Sequence, residues 1–439
     1  MPIYENFSSM DDTTQLRSNR WTRRRMLLGG AAIAAAATVF ALRKRDGGGV
    51  HDAYFLALSQ ALREAGIAKP VLVIDRARLH ANMKTLRKTL EGSKLATRIV
   101  VKSLPSAKLI EEIAQGLNAD RFMVFNGPMV LDTARLRPTA DMLLGKPLPA
   151  LEVAAVCDQL AAEGFSGLRP QWIVDTPQRI REYAQIAISR GQVLRVNAEI
   201  DVGLHRGGFQ TAESLSAALD LIKLHPSLEF SGLMGYDPHV PKMPSPSKAY
   251  DAVIKRYQES VDVVRAKTGA DMSKLTFNTA GSPTYSLHTK DPLATEVAVG
   301  SAFVKPRDFD TQTLTQHIPA AFIATPVIKA LAKTQIPGLE ALSGLMRFFN
   351  ANSERAFFIH GGHWLAEPES PPGLEFNNIY GRSSNQEILT GSRSVLLKPD
   401  DFVFFRPKQS EAVFLQFGDL LVYEDGKIVD RWPTFPVSA

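Results

Sequence analysis

Residues 96–106 read Ala-Thr-Arg-Ile-Val-Val-Lys-Ser-Leu-Pro-Ser. The β-branched run from Ile99 to Val101 predicts a buried parallel strand that ends before Pro105. Lys102 then stands at the carboxyl end of that strand. In a (β/α)₈ barrel this rim holds the active site, and a partly buried lysine with a lowered pKa can form a Schiff base with a carbonyl compound. The alternative from this stretch alone is a strand-end lysine that extends into solvent.

Length, charge and cysteine count limit the classes of protein to which the chain can belong. The 439 residues are enough for a barrel and a smaller domain. The net charge of +6 is modest, and much of it comes from basic residues between Arg17 and Arg45, so no nucleic-acid surface is expected on the folded body. The single cysteine, Cys157, excludes an intrachain disulfide and a cysteine-rich zinc site.

The first 50 residues predict an export signal followed by a linker. Arginines up to Arg25 precede a weakly apolar run from Met26 to Leu42, which resembles a bacterial twin-arginine signal. We therefore expect a periplasmic protein. The apolar run is short for a membrane span, and no clear small-x-small cleavage site precedes Arg43. An uncleaved leader would anchor the protein to the inner membrane and would be its only membrane contact.

Strands and helices alternate from Lys69 onward. Besides the strand before Lys102, seven strand candidates recur at regular intervals: 121–125, 141–144, 171–175, 193–200, 228–236, 275–279 and 296–304. Eight strands with intervening helices predict a closed (β/α)₈ barrel over residues 65–310. No glycine-rich dinucleotide fingerprint follows the early strands. The strand that begins at Val71 is a ninth and lies outside the barrel.

A β-domain is predicted over residues 311–439. Strand-like runs occur at 394–397, 402–405, 412–415 and 419–423, and the last precedes a Glu-Asp-Gly hairpin signal. An apolar stretch punctuated by prolines, with Ile328, Leu331 and residues 342–345, predicts a helical insertion in this domain. The Val71 strand is a candidate to join it.

Polar or small residues follow several barrel strands, as the active rim requires. Residues 198–208 read Ala-Glu-Ile-Asp-Val-Gly-Leu-His-Arg-Gly-Gly, and residues 232–239 read Gly-Leu-Met-Gly-Tyr-Asp-Pro-His. Residues 278–284 and 299–301 supply glycines and hydroxyls, which is the composition of a backbone-amide phosphate cradle. Taken singly, each run also has a structural explanation: an ion pair of Arg206, a hydrogen-bonded loop histidine, or ordinary turns.

Together these runs resemble the fold-type III pyridoxal-phosphate enzymes, in the D-threonine aldolase and D-serine dehydratase branch of the alanine racemase superfamily. The most specific part is Ile-Asp-Val-Gly-x-x-Arg-x-Gly at 200–208. The resemblance implies that Lys102 forms the Schiff base with pyridoxal 5′-phosphate, that Arg206 tunes the cofactor near its pyridine nitrogen, and that Tyr236 lies against the ring. It also implies a phosphate site made by Gly281, Ser282, Gly300 and Ser301.

The resemblance further implies an enzyme that acts on a D-amino acid, as a lyase of the aldolase or dehydratase type. The freed Lys102 would act as a general base near the α-carbon or the β-hydroxyl. The alternative is a racemase, which needs a second base; the candidates are Tyr236, His239 and Tyr380 of the partner subunit. A third hypothesis is a non-catalytic cofactor carrier, against which the added β-domain argues. Residues 381–387 are similar to a racemase segment that closes the neighbouring subunit's site, which implies a homodimer.

The chain departs from the family pattern at a metal site. The aldolases and dehydratases that it resembles carry a His-x-Cys or His-x-Asp metal pair after a proline near the C-terminus. Here Gln409 and Glu411 follow Pro407. Because glutamine is a poor ligand for zinc, we predict no metal site. The departure bears on the reaction, because that metal holds the substrate's β-hydroxyl, and leaves the scaffold unchanged.

Overall fold

The computed structural model describes residues 44–335, 338, 340, 343–377 and 381–437. Most of the predicted export signal, up to residue 43, and Tyr380 lie outside the described residues. Within the described ranges, no helix combines the length and apolar character needed to cross a membrane.

The described chain starts outside the barrel, with α1 (Ala53–Glu64), β1 (Val71–Asp75) and α2 (Arg76–Leu90). The five residues of β1 are all buried. Asp75 caps α2, since its side chain accepts a hydrogen bond from the backbone N–H of Arg78 at 2.9 Å. The α2 side chain of Asn82 then donates to the carbonyl of Phe303 at 2.8 Å, which fixes this helix against the outside of the barrel.

Eight parallel strands close into a barrel, which confirms the predicted architecture. They are β2 (Ala96–Val100), β3 (Arg121–Val124), β4 (Asp141–Leu144), β5 (Gln171–Val174), β6 (Leu194–Glu199), β7 (Leu228–Met234), β8 (Thr276–Thr279) and β9 (Glu296–Val299). The helices between them are α3 (Ala107–Leu117), α4 (Gly127–Leu136), α5 (Ala150–Ala162), α6 (Pro177–Ser189), α7 (Ala212–Lys223) and α8 (Pro246–Thr268). Short 3₁₀ turns connect β8 to β9 and follow β9.

An ion cluster lies inside the barrel around Arg98 of β2. The Arg98 side chain has no exposed surface and binds both carboxylate oxygens of Glu296, which is also fully buried. It bridges to Asp141 at 3.0 Å, and Arg121 reaches Glu296 at 2.8 Å. Two cations and two carboxylates from β2, β3, β4 and β9 therefore neutralise one another, with Arg98 and Glu296 buried and Arg121 and Asp141 partly exposed.

A second sheet of nine strands is formed by β1 together with eight strands that follow the barrel. The eight later strands are β10 (Ala321–Leu331), β11 (Arg355–His360), β12 (Ala366–Ser370), β13 (Glu375–Phe376), β14 (Gln386–Gly391), β15 (Phe402–Pro407), β16 (Asp419–Glu424) and β17 (Lys427–Pro433). Strand β1 lies antiparallel to β10 and parallel to β16. The chain thus enters this sheet before it builds the barrel and returns to it afterwards.

The C-terminal part corrects three sequence expectations. Residues 412–415 lie in the helix α10 (Glu411–Leu415), because four apolar residues carry no periodicity and the carboxylate of Glu411 suits a helix start. Residues 394–397 form no strand. Ile328 and Leu331 belong to β10, whose β-branched residues favour an extended chain, and the helix found there is the short α9 (Ser343–Phe349).

The C-terminal region covers the carboxyl ends of the barrel strands. The backbone N–H of Phe435 donates to the carbonyl of Pro105 at 2.9 Å. The Ser103 hydroxyl donates to Glu411, the first residue of α10, at 3.1 Å. The rim that the sequence marks as functional is therefore closed on one side by residues from the far end of the chain.

Candidate active site

Lys102 stands one turn past the end of β2. The strand ends at Val100, and a 3₁₀ turn over Val101–Ser103 turns the lysine side chain toward the barrel rim. Its Nζ lies 4.6 Å from the ring centroid of Phe125 and 3.9 Å from Oε1 of Glu411. Burial lowers the pKa of Lys102, and the Glu411 carboxylate opposes that shift. The lysine is therefore poised to exchange a proton or to act as a nucleophile.

Lys102 lies where two cavities meet. The inner cavity measures about 70 Å³ and the outer cavity about 960 Å³. Both are lined by Lys102, Phe125, Gly145, Arg206 and Glu411. A group bound in the inner cavity and a molecule that enters through the outer cavity would both be in reach of this lysine.

The four residues predicted to hold a phosphate line the inner cavity. The Ser282 hydroxyl accepts hydrogen bonds from the backbone N–H groups of Gly300, at 3.1 Å, and Ala302, at 3.0 Å. A Cβ at Gly300 would lie 2.8 Å from that of Val100, so only glycine fits there. These loops bring amides and hydroxyls together at a place where backbone can approach a ligand closely.

Arg206 and Tyr236 lie together. The guanidinium carbon is 4.9 Å from the Tyr236 ring centroid, and Nη2 is 3.8 Å from Oε1 of Glu199. Burial raises the pKa of Tyr236, although the Arg206 charge opposes the rise. Burial also raises the pKa of Glu199 to about 7, with Arg206 opposing and Asp175 adding to the shift. The placement of Arg206 beside a pyridine nitrogen stays a prediction.

The structure does not bring His239 to the site. It lines neither cavity, and its Nε2 lies 3.3 Å from where a Cβ on Gly203 would be, behind the loop that follows β6. Its predicted catalytic role has no support from this geometry. Gln409 is likewise outside both cavities and donates weakly to Asp308 at 3.4 Å.

Glu411 and Asn278 are site residues that the sequence analysis did not identify as such. The sequence pattern presents Glu411 only as a replaced metal ligand, yet its side chain contacts Lys102. Asn278 is buried in the inner cavity, where its Nδ2 donates to Glu296 at 2.7 Å and its Oδ1 has no hydrogen-bond partner within the described residues. Its position at the end of β8, among the predicted phosphate loops, was the available signal.

The described part of the chain contains no group of three or more His, Cys, Asp or Glu side chains arranged to hold a metal ion. The absence of a metal site stays a prediction that rests on the residues at 409 and 411.

A buried histidine holds one of the predicted phosphate loops in place through hydrogen bonds. His288 bonds Asp237 at 2.9 Å through Nε2 and Asp291 at 3.0 Å through Nδ1. Asp237 also accepts from Thr284, whose hydroxyl oxygen accepts from the backbone N–H of Gly281 at 3.1 Å. Burial lowers the pKa of His288, but the hydrogen bonds to the two carboxylates outweigh burial and raise it to about 9. A charged imidazole therefore ties the loop at 281–284 to the barrel.

This charge predicts a pH-dependent stability. Because the pKa of His288 rises from 6.5 to about 9 on folding, its contribution is fully present below pH 6.5 and is lost as pH rises through 9. We expect His288→Gln to lower the melting temperature at neutral pH. As pH rises through 9, the melting temperature of the variant should fall less than that of the native protein, because the variant has no His288 charge to lose. Thermal scans across the pH range check this, with the exposed His360→Gln as control. Parallel curves for the native protein and His288→Gln would contradict it.

The chain is similar to known proteins both in sequence and in fold. The family model "Alanine racemase, N-terminal domain" matches residues 74–308. Among solved structures, D-threonine aldolase from Filomicrobium marinum aligns with a TM-score of 0.64 at 16% identity, over 83% of this chain and 96% of that one. D-threo-3-hydroxyaspartate dehydratase from Delftia sp. HT23 aligns with a TM-score of 0.64 at 16% identity, over 84% and 98%. Alanine racemase from Bacillus anthracis aligns with a TM-score of 0.63 at 13% identity, over 83% and 98%. No curated protein matches the chain by sequence.

A barrel with a partly buried lysine beside loops of glycine and serine, joined to a separate β-sheet, is the architecture of a fold-type III pyridoxal-phosphate enzyme. The family match covers more than half of the chain. The chain belongs to the alanine racemase N-terminal domain family, and it is a pyridoxal-phosphate-dependent enzyme of amino acids. The predicted family, fold and cofactor are thereby confirmed.

The residues of the inner cavity fit this cofactor. Lys102 supplies an amine whose pKa is lowered, as Schiff-base chemistry requires. The Ser282 hydroxyl accepts two backbone N–H groups, which leaves its own hydrogen free to donate to a phosphate, and Ser301 lines the same cavity. A Cβ at Gly300 would clash with Val100 and Ser103, so the close approach of these segments around the cavity requires glycine. The unpartnered Oδ1 of Asn278 is a buried acceptor that a donor on the bound group would satisfy.

Proposed function

We propose that this enzyme is a lyase that acts on D-amino acids with a β-hydroxyl group. The observation that carries the proposal is the position of Lys102 between a narrow cavity with a phosphate cradle and an outer cavity of about 960 Å³. The names of two structural neighbours, a D-threonine aldolase and a D-threo-3-hydroxyaspartate dehydratase, support the choice of substrate class. Both names describe reactions of D-amino acids that carry a β-hydroxyl.

The residues of the outer cavity have different roles in the proposed reaction: substrate binding, proton exchange and exclusion of water. Lys146 lines it and supplies positive charge for the substrate's α-carboxylate. Lys102 exchanges a proton with the α-carbon, because burial lowers its pKa and makes the neutral amine accessible. Phe435 and Leu415, from the C-terminal region, form an apolar wall that limits access of water. The bound cofactor supplies an electron sink for the bond that breaks at the α-carbon.

Product analysis tests the proposal. Protein without its leader, loaded with pyridoxal 5′-phosphate, is incubated with the D- and L-forms of serine, threonine and alanine. We expect an aldehyde or a keto acid from the D-hydroxy amino acids and no product from their L-forms. Formation of the opposite enantiomer alone would replace the proposal with the racemase alternative. Bound cofactor with no turnover of any of these amino acids would contradict the proposal.

A further inference from the structure

We propose that Glu411 accepts the proton of the substrate's β-hydroxyl, so that the reaction is a retro-aldol cleavage. This inference rests on the proposed function and specifies which bond breaks. Glu411 comes from the C-terminal region, yet it lines both cavities at the point where Lys102 stands. Its assignment follows from what each of its two carboxylate oxygens contacts.

The two oxygens of Glu411 have different surroundings. Oε1 accepts a hydrogen bond from the Ser103 hydroxyl at 3.1 Å and lies 3.9 Å from Nζ of Lys102. Oε2 is buried and has no hydrogen-bond partner among the residues that the structure describes. One oxygen therefore fixes the carboxylate beside the lysine, and the other is free to accept a hydrogen bond. An unpaired acceptor in a buried position costs stability unless a ligand satisfies it.

The other carboxylates of the outer cavity are placed less well for this role. Glu199 pairs with Arg206 at 3.8 Å, and Asp132 pairs with Arg135 at 3.0 Å on α4. Asp175 lies near Glu199, since both are within 4 Å of the Cβ position of Gly207. Of the carboxylates that line this cavity, Glu411 is the one that contacts Lys102 in the described part of the chain.

The proposed step is balanced within the site. The O–H bond of the β-hydroxyl breaks, and its proton passes to Glu411. The bond between the α- and β-carbons breaks, its electron pair stays with the α-carbon, and the β-carbon becomes the carbonyl of an aldehyde. Protonated Lys102 gives its proton to the α-carbon, and Glu411 then returns a proton to Lys102 across the 3.9 Å between them. The products are glycine and an aldehyde, and no further reactant is consumed.

The first test distinguishes the role of Glu411 at the β-hydroxyl from the role of Lys102 at the α-carbon. We expect Glu411→Gln, which keeps an acceptor for Ser103, to lower kcat for cleavage of D-threonine by about 10²–10⁴-fold with little change in KM. Exchange of the α-hydrogen of D-alanine in heavy water needs no β-hydroxyl and should persist in this variant. The control is Asp132→Asn, which removes another carboxylate of the same cavity and should leave cleavage unchanged.

A second measurement needs no turnover. A carboxylate beside the Lys102 nitrogen stabilises its protonated form, so Glu411→Gln should move the pH midpoint of the holoenzyme's visible absorbance to lower pH, whereas Asp132→Asn should not. Cleavage at the native rate by Glu411→Gln, an unmoved midpoint, or loss of native cleavage on adding a chelator would each overturn the assignment. If the native enzyme releases no aldehyde from any D-hydroxy amino acid, the proposed function fails and the assignment fails with it.

Discussion

Replacing Lys102 with alanine should remove both the visible absorbance of bound pyridoxal 5′-phosphate and turnover. Lys102 is the lysine at the junction of the two cavities, and its proton transfer alone is worth about 10²–10⁴-fold in rate. The loss of the covalent link adds to that, so we expect activity below detection. Absorbance spectra of the purified variant and the product assay on D-hydroxy amino acids are the measurements.

Lys146→Ala is the matched control, because Lys146 lines the outer cavity but not the inner one. It should keep the absorbance and raise KM, since its proposed role is to bind the α-carboxylate. Borohydride reduction of the native holoenzyme, followed by peptide mapping, should place the cofactor on Lys102. A reduced cofactor on any other lysine would show that the site has been assigned to the wrong residue.

Arg98→Met is expected to cost about 3–5 kcal/mol of stability, the range for breaking a buried ion pair. The variant leaves the carboxylate of Glu296 without its main partner in a position with no solvent contact. Arg121 still reaches Glu296 at 2.8 Å, but it is partly exposed and cannot replace the bonds that Arg98 makes. Equilibrium unfolding in urea, followed by circular dichroism, measures the loss.

Two further variants identify the cause. Arg98→Met combined with Glu296→Leu removes the stranded charge and should recover a large part of the loss, because replacing both partners of a buried pair is often close to neutral. Arg121→Met should cost less than Arg98→Met, since its side chain is 39% exposed. If the double variant is no more stable than Arg98→Met alone, burial of an unpaired charge is not the reason for the loss.

The barrel was predictable because its signals are local. Most of the strands contain two or three consecutive apolar residues, and eight such segments at regular spacing predict closure without knowledge of any contact. That Gly300 and Ser301 lie at the rim was predictable for the same reason, since they directly follow β9, whereas their binding of a phosphate stays a prediction. In contrast, the contact between Ser103 and Glu411 joins residues 308 positions apart, and no local pattern reports it.

His239 and Glu411 show why residue type and sequence position alone do not predict which side chains reach the site. His239 follows Tyr236 by three residues, yet the chain turns between them, so Tyr236 lines the inner cavity and His239 does not. Glu411 was compared only with a metal pair, and the residues after it were expected to form a strand. The one-turn helix that they form instead is what presents its carboxylate to the lysine.

The place of β1 in the second sheet has a consequence for the order in which the molecule is completed. This interior strand is synthesised before the barrel, while its partners β10 and β16 emerge from the ribosome only after the barrel sequence has been made. Until then both edges of β1 are open. A chain cut between the barrel and the β-domain would yield one fragment with an unpaired strand and another with a gap in its sheet, so neither half could be expressed alone as an intact unit.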